Sequence, residues 1–73
     1  MSFDELLDRA CKAAHLPDMA RIQLPSALSD ETKIALLKLS PEEVGNVLNA
    51  AIEAVNKGSV EPIDKLVRKQ VGR

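Results

Sequence analysis

The 73-residue sequence predicts an all-α fold, a compact four-helix bundle-like domain formed by residues 1–73. Three observations lead there. Apolar residues recur at three- and four-residue spacing along most of the chain. Ser2, Ser29 and Ser40 stand at capping positions just ahead of those runs. No alternating run and no hairpin dipeptide speaks for a sheet.

The first helix is expected over 3–15. Ser2 and Glu5 have capping-box spacing. Phe3, Leu6, Leu7, Ala10 and Cys11 share one face, while Asp4, Glu5, Asp8, Arg9 and Lys12 share the other. Pro17 disfavours the α conformation at Leu16 and so closes the helix.

Residues 17–29 read as an irregular but ordered connection. Asp18 is placed to cap a single turn, and Pro25 pushes Leu24 towards an extended conformation. Met19, Ile22, Leu24 and Leu28 are too apolar for a free linker and are expected to pack beneath the helices.

The second helix is expected over 30–39, capped by Ser29 or Asp30. Ile34, Ala35, Leu36, Leu37 and Leu39 point almost all the way round it, with Lys33 and Lys38 as the main polar interruptions. Such a helix is either central or covered by something else.

The third helix, expected over 41–57, has the clearest signals. Ser40-Pro41-Glu42-Glu43 combines an N-cap hydroxyl, a first-turn proline and a glutamate at the capping-box position. Val44, Val47, Leu48, Ala51, Ile52 and Val55 form its apolar face, and Lys57-Gly58 ends it. The joint Leu39-Ser40-Pro41 leaves almost no loop, so the second and third helices should meet at a corner. A fourth helix is expected over 60–71, opened by Ser59, with Pro62 in its first turn and Val60, Ile63, Leu66, Val67 and Val71 as its stripe. The expected core draws on all of these, and includes Phe3, Ile22, Ile34, Leu37, Val47 and Val55.

Charge and composition then narrow the function. Eleven acidic and ten basic side chains give a formal net charge of −1, a poor basis for neutralising phosphates. Phe3 is the single aromatic residue, too few for base-stacking platforms. One cysteine and one histidine do not make a four-ligand zinc site, and no other cofactor is implied. The acidic N-terminal stretch is unlike a secretory signal, and no apolar run nears the roughly 18 residues of a membrane span. A soluble, cytoplasmic protein without membrane contact is expected.

No grouping of side chains points to catalysis. Glu42 and Glu43 are adjacent on a helix and point about 100° apart, so they read as cap and dipole partners. His15 has only Cys11 or Asp18 nearby in sequence, and Cys11 reads as a small hydrophobe. Five acids stand four residues before a base: Glu5–Arg9, Asp8–Lys12, Glu53–Lys57, Glu61–Lys65 and Asp64–Arg68. These read as helix-surface pairs.

The leading expectation is a non-catalytic protein–protein interaction module, an adaptor or regulatory subunit that holds a partner or forms a homodimer. Its candidate interface is Ile34, Leu36, Leu37 and Leu39, apolar surface in excess of what a thin bundle can cover. The alternative is a nucleic-acid-associated regulator contacting a polyanion through Lys65, Arg68, Lys69 and Arg73, the one basic run without acids. As a helix-turn-helix the chain would present Glu61 and Asp64 where readers of DNA place Arg, Lys, Asn or Gln.

A third possibility follows from the order of parts: one helix, a long ordered connection, then three helices. In this order the chain resembles the acyl carrier proteins, which would make Ser29 the attachment serine and the chain a carrier-protein-like domain. The family's Asp-Ser-Leu motif is replaced here by Leu28-Ser29-Asp30, and its acidic second helix by Ile34-Ala35-Leu36-Leu37.

Overall fold

A computed structural model describes residues 2–72 and contains five helices: α1 (Phe3–Ala14), α2 (Asp18–Ala27), α3 (Asp30–Leu37), α4 (Pro41–Asn56) and α5 (Ile63–Val71). The all-helical class is as expected, with one helix more than the four anticipated. The additional helix is α2, where an irregular connection was expected.

The caps explain most of the boundaries. Ser2, Ser29 and Ser40 are extended in backbone, and each hydroxyl accepts the N–H three residues on, from Glu5, Thr32 and Glu43, at 3.3 Å. In the last of these, the Ser40 hydroxyl also reaches the Glu43 carboxylate at 3.1 Å. The end of α1 is unusual. His15 is left-handed (φ 55°, ψ 42°), which lets both its own N–H and that of Leu16 reach the Cys11 carbonyl. Gly58 (φ 95°) ends α4 in the left-handed region, its own N–H reaching the Val55 carbonyl and that of Ser59 the Ala54 carbonyl.

Helix α2 forms despite Pro25, which lies in its last turn and forgoes only the backbone bond to Arg21. Leu24 is helical, not extended, because that turn buries Leu24 and then Leu28 in the core. The opposite side of α2 stays in solvent: Met19 and Ile22, expected beneath the helices, are 60% and 68% exposed. Helix α5 starts at Ile63 with Pro62 at its N-cap, three residues later than expected, so Val60 lies in the connection and is exposed.

The packing centres on α1 against α4. Helix α5 lies on α4, α2 on α1, and α3 bridges α5 and α1 without lying along α4, as the tight 39–41 joint requires. The closest approach is at Gly45, where an added Cβ would sit 3.0 Å from both the Ala10 carbonyl oxygen and the Ala14 methyl. One apolar cluster receives Leu6, Leu7, Ala10 and Cys11 from α1, Leu24 from α2, Leu36 from α3, Val44, Leu48 and Ala51 from α4, and Leu66 and Val67 from α5. Phe3 and Val47 pack at its margin, while Ile34, Leu37 and Val55, also expected in the core, are exposed. The radius of gyration, 10.8 Å, is close to the ~11 Å expected of a folded chain this long.

Candidate docking groove and polar clusters

Helix α3 does not present the surface expected of it. Leu36 is 0% exposed, enclosed by the protomer's own side chains, and Leu39 is partly buried against the core. Only Ile34 and Leu37 of the four candidate interface residues face outward, at 56% and 42% exposure. The excess of apolar positions on α3 is taken up by its place between α1 and α5, so it is not a broad uncovered face.

The inward side of α3 also carries a polar residue, Thr32, which is buried. Its hydroxyl donates to the Asp64 carboxylate on α5 at 2.7 Å, and the Ser29 N–H donates to the same oxygen at 2.8 Å. These bonds, the Ser29 N–H first, hold the Asp64 carboxyl below its ordinary value of 3.8. Asp64 is thereby committed to α3, not to Arg68 as the spacing suggested. Ser29 is exposed, but its hydroxyl is engaged with the Thr32 N–H and hydroxyl at 3.3 and 3.0 Å.

The basic C-terminal candidates are similarly committed. Arg68 lies 3.6 Å from Glu31 on α3, and Lys69 bonds both carboxylate oxygens of Glu61 at 2.8 Å. The Lys69 ammonium holds the Glu61 carboxyl below its usual range. Lys65 is exposed, and Arg73 lies outside the described residues. The sequence had assigned Lys65 to Glu61, but Lys69 takes that carboxylate. Of the five expected helix-surface pairs, Asp8–Lys12 at 3.1 Å and Glu53–Lys57 at 3.8 Å are present.

A cleft of about 330 Å³ between α1 and α2 gathers Asp8, Cys11, Lys12, His15, Leu16, Asp18 and Arg21. It brings together the three residues the sequence could nominate for acid–base chemistry, His15, Cys11 and Asp18. Its polar contacts run elsewhere, from Asp8 to Lys12 at 3.1 Å and to Arg21 at 2.9 Å. Those two partners, Lys12 first, depress the Asp8 carboxyl. Burial pushes the Cys11 thiol up, away from the thiolate that nucleophilic chemistry needs. Among the described residues no group of three or more His, Cys, Asp or Glu is placed to hold a metal ion.

A second depression, about 320 Å³, has a different character. It is bounded by Pro17, Met19, Ala20, Gln23, Leu24 and Ala27 along α2, by Ile52 and Asn56 near the end of α4, and by Ile63 at the start of α5. None of these side chains ionises. Sequence reasoning missed this groove because it needs α2 to be a helix. The available signal was Met19, Ile22, Gln23 and Ser26, an uncharged stripe at helical spacing.

No helix among the described residues is long and apolar enough to cross a membrane. The chain matches no protein-family model, no curated protein and no solved structure.

Proposed function

We propose that this protein is a small non-catalytic protein–protein interaction module, an adaptor or regulatory subunit, that receives an apolar partner segment in the groove between α2, α4 and α5. The observation that carries the reading is the pairing of an uncharged groove with exposed Met19 in its lining, Ile22 being exposed on the same helix. Exposed apolar side chains grouped along a depression are the usual mark of a contact site. Grooves between helices accept amphipathic helices, whose apolar face supplies anchors at three- and four-residue spacing. The reading calls on no cofactor. The lone buried Cys11 suits the reducing cytoplasm, where thiols stay unpaired.

The test is a titration of the ¹⁵N-labelled protein with a neutral Leu/Ala/Gln amphipathic helical peptide, followed by amide shifts. Shifts centred on Met19, Gln23, Ile52 and Asn56 are expected. Shifts centred on Lys65 and Arg68, or none at millimolar peptide, contradict the reading.

A further inference from the structure

We infer that α2 opens independently of the rest of the fold, and that this opening gates access to the Cys11 thiol. The inference goes beyond the docking reading and holds whether or not a partner occupies the groove. Three observations on how α2 is held carry it.

The first is how little anchors the helix. Elements that bury few apolar groups open at lower cost than the fold as a whole. Helices α1 and α4 each bury four residues, whereas α2 buries one, Leu24. It packs on α1, with at most marginal approach to any other helix. No side chain caps its N-terminus, and Pro25 removes one bond from its ladder.

The second is where the anchors lie. Leu24 and Leu28 are buried at the C-terminal end, and the adjoining Ser29 N–H is fastened to Asp64 at 2.8 Å. Residues 18–23 have only the half-buried Ala20 and a 2.9 Å ion pair from Arg21 to Asp8 of α1. That pair is open to solvent, and such pairs contribute little. Opening therefore begins at the N-terminal end of α2.

The third is what this end covers. Depressions of about 330 and 320 Å³ undercut α2 on two sides, with Asp18 and Arg21 at the edge of one and Met19 and Gln23 at the edge of the other. Cys11, 7% exposed, lines the first of them with Asp18 and Arg21. Lifting those two residues bares the sulfur and joins the two depressions, while α1 stays packed on α4.

The test is the labelling rate of Cys11 in the full chain at pH ~8 with an excess of an aromatic disulfide. The thiolate forms a mixed disulfide with one aryl sulfur and releases the other as a coloured thiolate. Urea unfolding of the same protein supplies the global unfolding constant. Cys11 should react more slowly than in the unfolded chain, yet at least ~10-fold faster than global unfolding permits. The rate should barely rise in dilute urea, because local opening exposes little surface.

Two matched variants locate the opening. Gln23 and Glu53 are exposed residues inside α2 and α4, so a glycine at either weakens one helix and spares the core. Gln23→Gly should quicken labelling about threefold, and Glu53→Gly should leave it unchanged. Circular dichroism serves as the folding control, and the wild-type rate decides by itself. Labelling at the rate set by global unfolding, labelling as fast as in the unfolded chain, or an equal response to the two glycines overturns the inference.

Discussion

Asp64 on α5 and Thr32 on α3 are joined by a 2.7 Å hydrogen bond from hydroxyl to carboxylate, across 32 residues of chain. The same carboxylate oxygen accepts the Ser29 N–H, so one acid closes the N-terminus of a helix to which it does not belong. Removing it takes a charged acceptor from both groups and leaves the buried Thr32 hydroxyl only its contact with Ser29. Asp64→Ala should therefore cost about 1–3 kcal/mol. Thr32→Val keeps the shape of the buried side chain and leaves Asp64 its bond to Ser29, so it should cost less. Urea unfolding of the two variants checks the order.

The same contact sets an acid limb to stability. The Asp64 carboxyl is held below its ordinary value in the folded state. In acid the unfolded chain thus binds more protons than the folded one, and stability rises with pH there. The Asp64 contribution is present in full above the ordinary value near 3.8 and fades as pH falls through the lower folded value. Asp8 and Glu61 are depressed as well and add slopes of the same sign. Thermal midpoints of wild type and Asp64→Asn should accordingly converge as pH is lowered from ~6 to ~2. A gap that is constant across this range would show that the carboxylate's charge is immaterial.

Gly45 sets the distance between α1 and α4. A Cβ there meets a backbone carbonyl and a helix-borne methyl, neither of which can rotate away. Gly45→Val should cost about 1–3 kcal/mol through forced separation of the two helices. Gly45→Ala should be milder, since about 1 kcal/mol of helix propensity is regained. Chemical denaturation of both variants is the check.

His15 is the left-handed residue that ends α1, a conformation costly for any residue with a Cβ. His15→Gly should raise stability by about 0.5–1 kcal/mol if the strain relieved exceeds the added freedom of the unfolded glycine. A lowered melting temperature would show that the added freedom of the unfolded glycine, or contacts of the imidazole, outweighs the strain.

How much of this was legible in the sequence follows from the range of each signal. Caps are local, so Ser2, Ser29 and Ser40 placed the starts of α1, α3 and α4 and Gly58 the end of α4, while α5, which has no side-chain cap, begins later than expected. Helix α2 was hidden because the rule for the residue before proline opposes a helical Leu24. That rule lost to the burial of Leu24 and Leu28, which depends on α1 lying alongside. On α3, counting apolar positions could not separate enclosed Leu36 from exposed Ile34 and Leu37, because the choice is made by where α1 and α5 sit. Nothing in the local sequence marks Thr32 as buried, because its partner, Asp64, lies 32 residues away. Four-residue arithmetic sees only one helix at a time, and so paired Asp64 with Arg68 and Glu61 with Lys65.

The groove between α2, α4 and α5 is tested most directly by placing a photo-reactive residue at Met19 in the cell and, in a parallel variant, at Ile34. The side chains at both positions are more than half exposed, so either probe leaves the core intact. Irradiation should yield a discrete protein adduct from position 19, either a second copy or another chain, and little from position 34. No adduct from position 19, or equal yields from the two positions, would contradict the assignment of this groove as the docking surface.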